Sequence, residues 1–285
     1  MRSARIPGEP SAQRARRSEP KAPRKGFRAR YAVVYDVSGP RVRLGVGWAL
    51  LLGGSLAYRP ARTVALALLY AATSALAAYQ TRMAWSSWHS VGTRWVSAAG
   101  AGAIPLAAAG FGVRGAGAAL LVFVAVTLAA ESFDGGRRES IVGAAGHAVS
   151  CGAWVGLASA GVVLTLRYEI GAVITLLVLV AVYEASDYLV GSGGSNRVEG
   201  PLAGIISIAV VTAVVAFLRV PPFRGADAFA FGGLAAVCCP LGQLVCSALL
   251  PEPAASAAAM RRLDSLLVLG PLWAWMVGLL LIRHG

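Results

Sequence analysis

The chemistry available to this chain is concentrated in two polar stretches set among long apolar ones. In YEASDYLVGSGGSNRVEG, residues 183–200, Glu184 and Asp187 stand three residues apart, which puts two carboxylates on one face of a helix, and Tyr188 follows them. The Gly and Ser run beyond breaks the helix and frees backbone N–H groups able to cradle phosphate oxygens, and Asn196, Arg197 and Glu199 close the stretch. In GQLVCSALLPEPAASAAAMRRLDS, residues 242–265, Gln243 and Ser247 end one helix while Arg261, Arg262, Asp264 and Ser265 open the next. Ionisable groups at membrane depth are costly and are functional candidates by default. Arginine offers planar, multi-donor recognition of phosphate and serine adds hydroxyl donors, so the chemistry indicated is the gripping of an anionic headgroup. Two plainer readings stay open: paired arginines before a last span are also a topogenic signal, and Asp264 also suits a helix N-terminus.

These stretches need a membrane protein to position them. Of 285 residues, 57% are hydrophobic and 14% charged, so the bilayer rather than a globular core must take up the apolar surface. A span needs about 20 mostly apolar residues to cross roughly 30 Å of hydrocarbon. Nine segments approach that requirement: 42–58, 63–79, 96–113, 115–130, 141–166, 170–190, 201–219, 227–250 and 266–282. The expected fold is all-α and polytopic, with about nine transmembrane helices. The weakest segment is 96–113, where Gly100, Gly102, Pro105 and Gly110 lower helix propensity. Ala and Gly dominate several others, which suits close packing where lipid supplies no hydrophobic drive between helices.

Residues 1–43 hold 12 basic and 3 acidic residues, so most of the charge excess belongs to one end. The segment 1–40 is expected to lack a fold of its own and to anchor on anionic headgroups at the cytoplasmic face rather than to bind nucleic acid. It is too charged for a cleaved signal peptide. A cytoplasmic N-terminus places 19 of the 26 Lys and Arg inside, but without the tail the sides are even at 7 and 7. The chain thus divides into a basic tail, 1–40, N-terminal helices, 41–140, and a core, 141–285, that carries both polar stretches; the expected location is the cell membrane. Cys151, Cys238, Cys239 and Cys246 lack the paired spacing of a zinc site and serve as small packing residues. WSSWHSVGTRW, residues 85–95, suits the headgroup layer. Within it, His89 has no sequence-neighbouring carboxylate; His147 is a helix-contact histidine and His284 a solvated one.

The order of the polar stretches resembles the phosphatidate cytidylyltransferase (CDP-diacylglycerol synthase) family. There a helix ending D-x-x-A-Y-x-x-G leads to a K-T-W-E-G element, and G-D-L-x-x-S later precedes a loop and L-D-R-x-D-S. The corresponding stretches here are EASDYLVG at 184–191, NRVEG at 196–200, GQLVCS at 242–247 and MRRLDS at 260–265. HAVSCGAWVGL, residues 147–157, resembles the span before that core, so the likeness covers the chain from His147 onward. The resemblance implies a lipid phosphate and CTP as ligands, Mg²⁺ as cofactor, and a homodimer. The departures bear on the metal: the two metal-holding aspartates of the family align with Gln243 and Arg261, and the only lysines are Lys21 and Lys25. A Gln carbonyl is a poor Mg²⁺ ligand without charged company, and Arg repels the ion. The expectation is a degenerate member that binds a lipid phosphate or nucleotide without efficient turnover and needs no cofactor. Tyr188, Asn196, Arg197, Glu199, Gln243, Ser247, Arg261, Arg262 and Ser265 would bind the ligand. The alternative is an active nucleotidyltransferase making a CDP-lipid, in which Glu184, Asp187 and Asp264 rebuild a catalytic Mg²⁺ site. A second alternative, a small transporter component, calls for polar residues repeated in several spans, and these are scarce.

Overall fold

A computed structural model of the chain describes residues 41–85, 94–133, 140–192, 198–252, 255 and 257–284. Eight helices follow one another: α1 Arg41–Ala57, α2 Arg62–Ala84, α3 Arg94–Phe133, α4 Ile141–Tyr168, α5 Ile170–Gly191, α6 Glu199–Leu218, α7 Ala226–Leu249 and α8 Leu266–His284. One-turn 3-10 helices, Arg59–Ala61 and Met260–Arg262, precede α2 and α8. No strand occurs among the described residues, and seven of the helices, α2 to α8, are long and apolar enough to cross a membrane. The protein is membrane-embedded and α-helical. This differs from the nine separate spans expected: 42–58 corresponds to α1, a 17-residue helix shorter than a full span, and 96–113 and 115–130 fall within the single 40-residue α3.

The reason for that merger is a tight reversal. A straight helix of such length would extend about 60 Å, roughly twice the hydrocarbon thickness. Instead Gly112 adopts φ 66°, ψ −149°, a conformation open in practice only to glycine. A Cβ on Gly115 would overlap the carbonyl oxygen of Ala107, and one on Gly100 would enter the ring of Phe123, so residues far apart along the chain lie side by side. α3 is therefore a hairpin with limbs 94–111 and 113–133. Arg167, at the end of α4, donates to the carbonyl oxygens of Ala108, at 3.1 Å, and Ala109. It thereby satisfies carbonyls that the break leaves without helical partners, at the helix end where a cation is favoured.

Hydrogen bonds fix the direction of the bundle. Ser74 Oγ donates to Ala101 O at 3.1 Å and Ser97 Oγ to Ala148 O at 3.1 Å, which ties α2 and α4 to the first limb of α3. The end of α2, both ends of the α3 hairpin, the starts of α4 and α6, and the ends of α5 and α7 consequently share one side, called here the site face. The main core joins both halves of the sequence, with Leu66 and Tyr70 of α2 packed in one cluster with Leu176 and Tyr183 of α5, Cys239 of α7 and Trp273 of α8. Where α4 meets α8, Gly161 and Gly270 allow backbones to touch; a Cβ on Gly161 would overlap Gly270 O, and one on Gly270 would lie 2.7 Å from Ala158 O. Small residues at crossings are what lipid-embedded helices need in order to gain dispersion contacts.

The hairpin makes a discriminating prediction. Gly115→Ala should lower the unfolding temperature in detergent, at a cost of about 1–3 kcal/mol for a forced overlap. Gly117→Ala, where a Cβ meets open space, should leave it unchanged or slightly higher. Tryptophan fluorescence on heating measures both, and equal values for the two variants would overturn the reversal at Gly112.

Candidate functional site

On the site face, α5, α7 and the turn into α8 converge. α7 presents Cys239, Gly242, Gln243, Cys246 and Ser247 on one stripe, at helical intervals of three and four, and all five are buried. Gly242 is the closest point: a Cβ there would overlap the carbonyl oxygen of Asp264. Only glycine lets α7 lie against the turn that carries Arg261, Arg262, Asp264 and Ser265. That turn is anchored by Met260 and Leu263, both fully buried.

Gln243 is the connecting group. Its Oε1 accepts from the Tyr183 hydroxyl at 3.0 Å, and its Nε2 donates to Asp187 Oδ2 at 3.0 Å. Tyr183 and Asp187 are four residues apart on α5 and therefore on one face, and all three side chains are buried. Ser247 Oγ donates to the Gln243 carbonyl oxygen at 3.0 Å within α7. Glu184, one residue round the helix from Tyr183, faces the other part of the cluster. Its carboxylate lies within electrostatic range of Asp264, Arg262 and Asp187 and within hydrogen-bond reach of the Ser265 side chain. Its Oε1 is shielded from solvent and has no hydrogen-bond partner among the described residues.

Asp264 Oδ1 accepts from the Ser265 backbone N–H at 2.7 Å and from the Ser265 hydroxyl at 3.3 Å. Burial raises the Asp264 carboxyl to about 6; the hydrogen bonds from Ser265 and the nearby Arg261 charge oppose that rise, and Asp187 adds to it. The sequence-selected residues Glu184, Asp187, Gln243, Ser247, Arg261, Arg262, Asp264 and Ser265 thus lie at one place. Tyr188 stands in the last turn of α5 and Glu199 in the first turn of α6. Asn196 and Arg197 lie outside the described residues, as does His89.

Four further residues shape the site without having been read from the sequence as site residues, although Trp85 opens the tryptophan-rich stretch 85–95. Tyr183 supplies the second bond to Gln243. Tyr70 of α2 lies within electrostatic range of Glu184 and meets Trp48 of α1 edge to face at 5.8 Å. Gln80 and Trp85, at the end of α2, hold the loop before the arginines: Gln80 Oε1 accepts from the Ala259 N–H at 2.9 Å, and Trp85 Nε1 donates to Leu249 O at 2.9 Å. These pairings span 179 and 164 residues of sequence, so no local pattern announces them. Tyr183 did have a signal, its four-residue spacing from Asp187.

Asp187 already accepts from the Gln243 amide and Asp264 from Ser265, and among the described residues no three His, Cys, Asp or Glu side chains are grouped to hold a metal ion. The four cysteines are buried and free. No protein-family model, no curated protein and no solved structure matches the chain.

Two outcomes test this geometry. Tyr183→Phe leaves the Gln243 Oε1 buried without its donor and should cost about 1–3 kcal/mol, read as a lower unfolding temperature; no change would mean that the bond contributes nothing. For Asp264, the folded-state carboxyl sits above its ordinary 3.8, so between about pH 4 and about pH 6 the folded chain holds a proton that the unfolded chain releases. Its contribution to stability is present below that window and is lost as pH rises through it. The unfolding temperature of the unmodified protein, relative to Asp264→Asn, should therefore fall across the window, and a constant difference would remove the assignment.

Proposed function

We propose that the protein is a phosphatidate cytidylyltransferase-like membrane protein of phospholipid metabolism that binds a phosphorylated lipid, or CTP, without efficient turnover. One observation carries the reading: three of the four stretches that resemble the family's motifs, 184–191, 242–247 and 260–265, meet at one point through Gln243, Gly242 and the 260–265 turn. Arg261 and Arg262, half-buried at the start of a helix, would take the phosphate as planar multi-donor groups. Ser265 and the α8 N-terminus add donors. The carboxylates Glu184, Asp187 and Asp264 hold the arginines and Gln243 in place rather than acting on the lipid, and no step runs through Mg²⁺.

In this reading α1 and both limbs of α3 each cross the bilayer, which makes nine crossings with α2 and α4 to α8. The site face is then the cytoplasmic face of the cell membrane, where α1 begins and the basic segment 1–40 lies. Association as a homodimer follows from the same resemblance.

Protein in mixed micelles with CTP, Mg²⁺ and phosphatidate should release no pyrophosphate above a protein-free blank, while saturable phosphatidate binding weakens about tenfold or more on Arg262→Gln. Protein-dependent pyrophosphate release would replace this reading with an active nucleotidyltransferase. Loss of all saturable binding would remove both. Gln243→Asp with Arg261→Asp then asks whether restoring the two carboxylates restores turnover.

A further inference from the structure

One oxygen at the site is left over once the internal hydrogen bonds are drawn. Glu184 Oε1 is shielded from solvent and has no hydrogen-bond partner among the described residues. A shielded carboxyl oxygen without a donor is costly, and folded proteins seldom leave one. The groups that face Glu184 come from four elements: Tyr70 from α2, Cys239 from α7, Arg262, Asp264 and Ser265 from the turn into α8, and Asp187 from its own helix. Nearby donors are already given to other acceptors. The Ser265 hydroxyl, in reach of the Glu184 carboxyl, donates to Asp264 Oδ1 at 3.3 Å, the Gln243 amide to Asp187 at 3.0 Å, and the Tyr183 hydroxyl to Gln243 at 3.0 Å. Glu184, Arg261, Arg262 and Asp264 are each half-buried, so the cluster borders the outside of the bundle.

A phosphate gripped by Arg262 therefore comes up against a carboxyl oxygen that lacks a donor. Two anionic oxygens do not meet at hydrogen-bond distance without a proton between them. A phosphomonoester can supply one: its second ionisation has a pKa of about 6, so near neutrality it keeps an O–H at small cost. A sulfate monoester and a phosphodiester hold no such proton in this range. Charge favours the same choice. Two guanidinium groups, Arg261 and Arg262, stand with three carboxyl groups, Glu184, Asp187 and Asp264, and that balance suits an anion bringing a proton better than one bringing a second full charge.

We propose that Glu184 is the specificity residue of the site: its Oε1 accepts a hydrogen bond from the phosphate's own O–H, so the site takes a phosphomonoester holding one proton and rejects oxyanions that have none to give. The proposal rests on the reading of the cluster as one that binds a lipid phosphate. The proton stays between the two oxygens, and no bond to phosphorus is made or broken. Arg262 supplies the grip and Glu184 the choice, as a polar site built for a ligand O–H rejects an analogue without it. A carboxylate that only held the arginine in place would affect every oxyanion alike.

The full-length chain in phosphatidylcholine nanodiscs is titrated calorimetrically with octyl phosphate, octyl sulfate and methyl octyl phosphate, with empty nanodiscs as the blank. These ligands share a chain and a tetrahedral head and differ in the proton. At pH 7 octyl phosphate should bind about tenfold or more tighter than either of the others. Glu184→Gln puts an amide donor beside the bound anion, so the preference should shrink to less than about threefold, with octyl sulfate binding more tightly than to the unmodified protein. A gain of that kind cannot come from misfolding. Arg262→Gln should weaken all of the ligands alike. Between pH 7 and pH 9 the affinity of the unmodified protein for octyl phosphate should fall about tenfold or more, because the complex holds a proton that the free partners lose. Affinity for octyl sulfate, which reports any titration of Tyr70, Cys239, Asp187 and Asp264, should stay constant, and this comparison needs no variant. Inorganic phosphate should compete about tenfold or more less strongly than octyl phosphate, and competition at equal strength would overturn a lipid as the source of the phosphate. Equal affinities of the unmodified protein for the alkyl ligands, or a preference that survives Glu184→Gln, would overturn the role of Glu184 and leave the site reading in place. Absence of saturable binding of any of them would overturn both.

Discussion

Everything at the site depends on one amide in a place with no water to spare. Gln243 is buried at the end of a membrane helix, with a donor end and an acceptor end that must both be satisfied. Tyr183 answers the oxygen and Asp187 the nitrogen, so the amide cannot turn over without breaking two bonds at once. That fixes its orientation and holds α5 to α7 at the depth where Gly242 meets the carbonyl of Asp264. The register between the two helices sets the position of the following turn, and the turn sets where Arg261 and Arg262 begin. A carboxylate at position 243 would repel Asp187 and leave Tyr183 as the only donor. The site is thus organised around a neutral bridge where like charges would need a cation between them.

A second constraint comes from α2, which lies outside the stretches that carry the family resemblance. Gln80 and Trp85 bond to the backbone at the two ends of the segment between α7 and the arginine turn. Trp85 is itself braced edge to face by His147 at 4.8 Å. Nearby, Arg82 and Glu131 form a fully buried ion pair at 3.3 Å that links α2 to the second limb of α3. Such a pair contributes little net stability once desolvation is counted, yet it ties the second limb of the hairpin to α2, to which Ser74 already ties the first. The N-terminal half of the chain therefore acts on the site as a scaffold, and the main core runs through both halves without a break.

The sequence made the helices legible and left their ends and joins obscure. Apolar length alone identified α2 and α4 to α8, because a bilayer imposes a strong and simple requirement on them. It divided 96–113 from 115–130 within two residues of the reversal at Gly112, and left hidden only that no loop separates the two limbs. Within the site, residue types and order pointed to Glu184, Asp187, Gln243 and the arginine turn, because polar groups are conspicuous in an apolar chain. Pairings between distant positions, such as Gln80 with Ala259, stayed hidden: a side chain meeting a backbone amide 179 residues away has no periodicity. The partner of the Tyr183 hydroxyl was equally hidden, although its spacing from Asp187 was not.

Under the proposed reading, the arrangement of charges offers a reason for holding a phosphate over turning it over. Each arginine that could grip a phosphate already has carboxylates within range, so a ligand must displace existing partners instead of filling an empty positive pocket. Exchange of this kind makes affinity modest and strongly dependent on salt. In that reading it also ties ligand binding to the internal order of the cluster: a phosphate on Arg262 would take a counter-charge from Glu184, and one on Arg261 would take a counter-charge from Asp264. Transition-state stabilisation requires the reverse, charges held fixed and waiting for an anion that is still developing. Under the proposed reading, a cluster that rearranges as it binds would report or carry a phosphate rather than supply that fixed field.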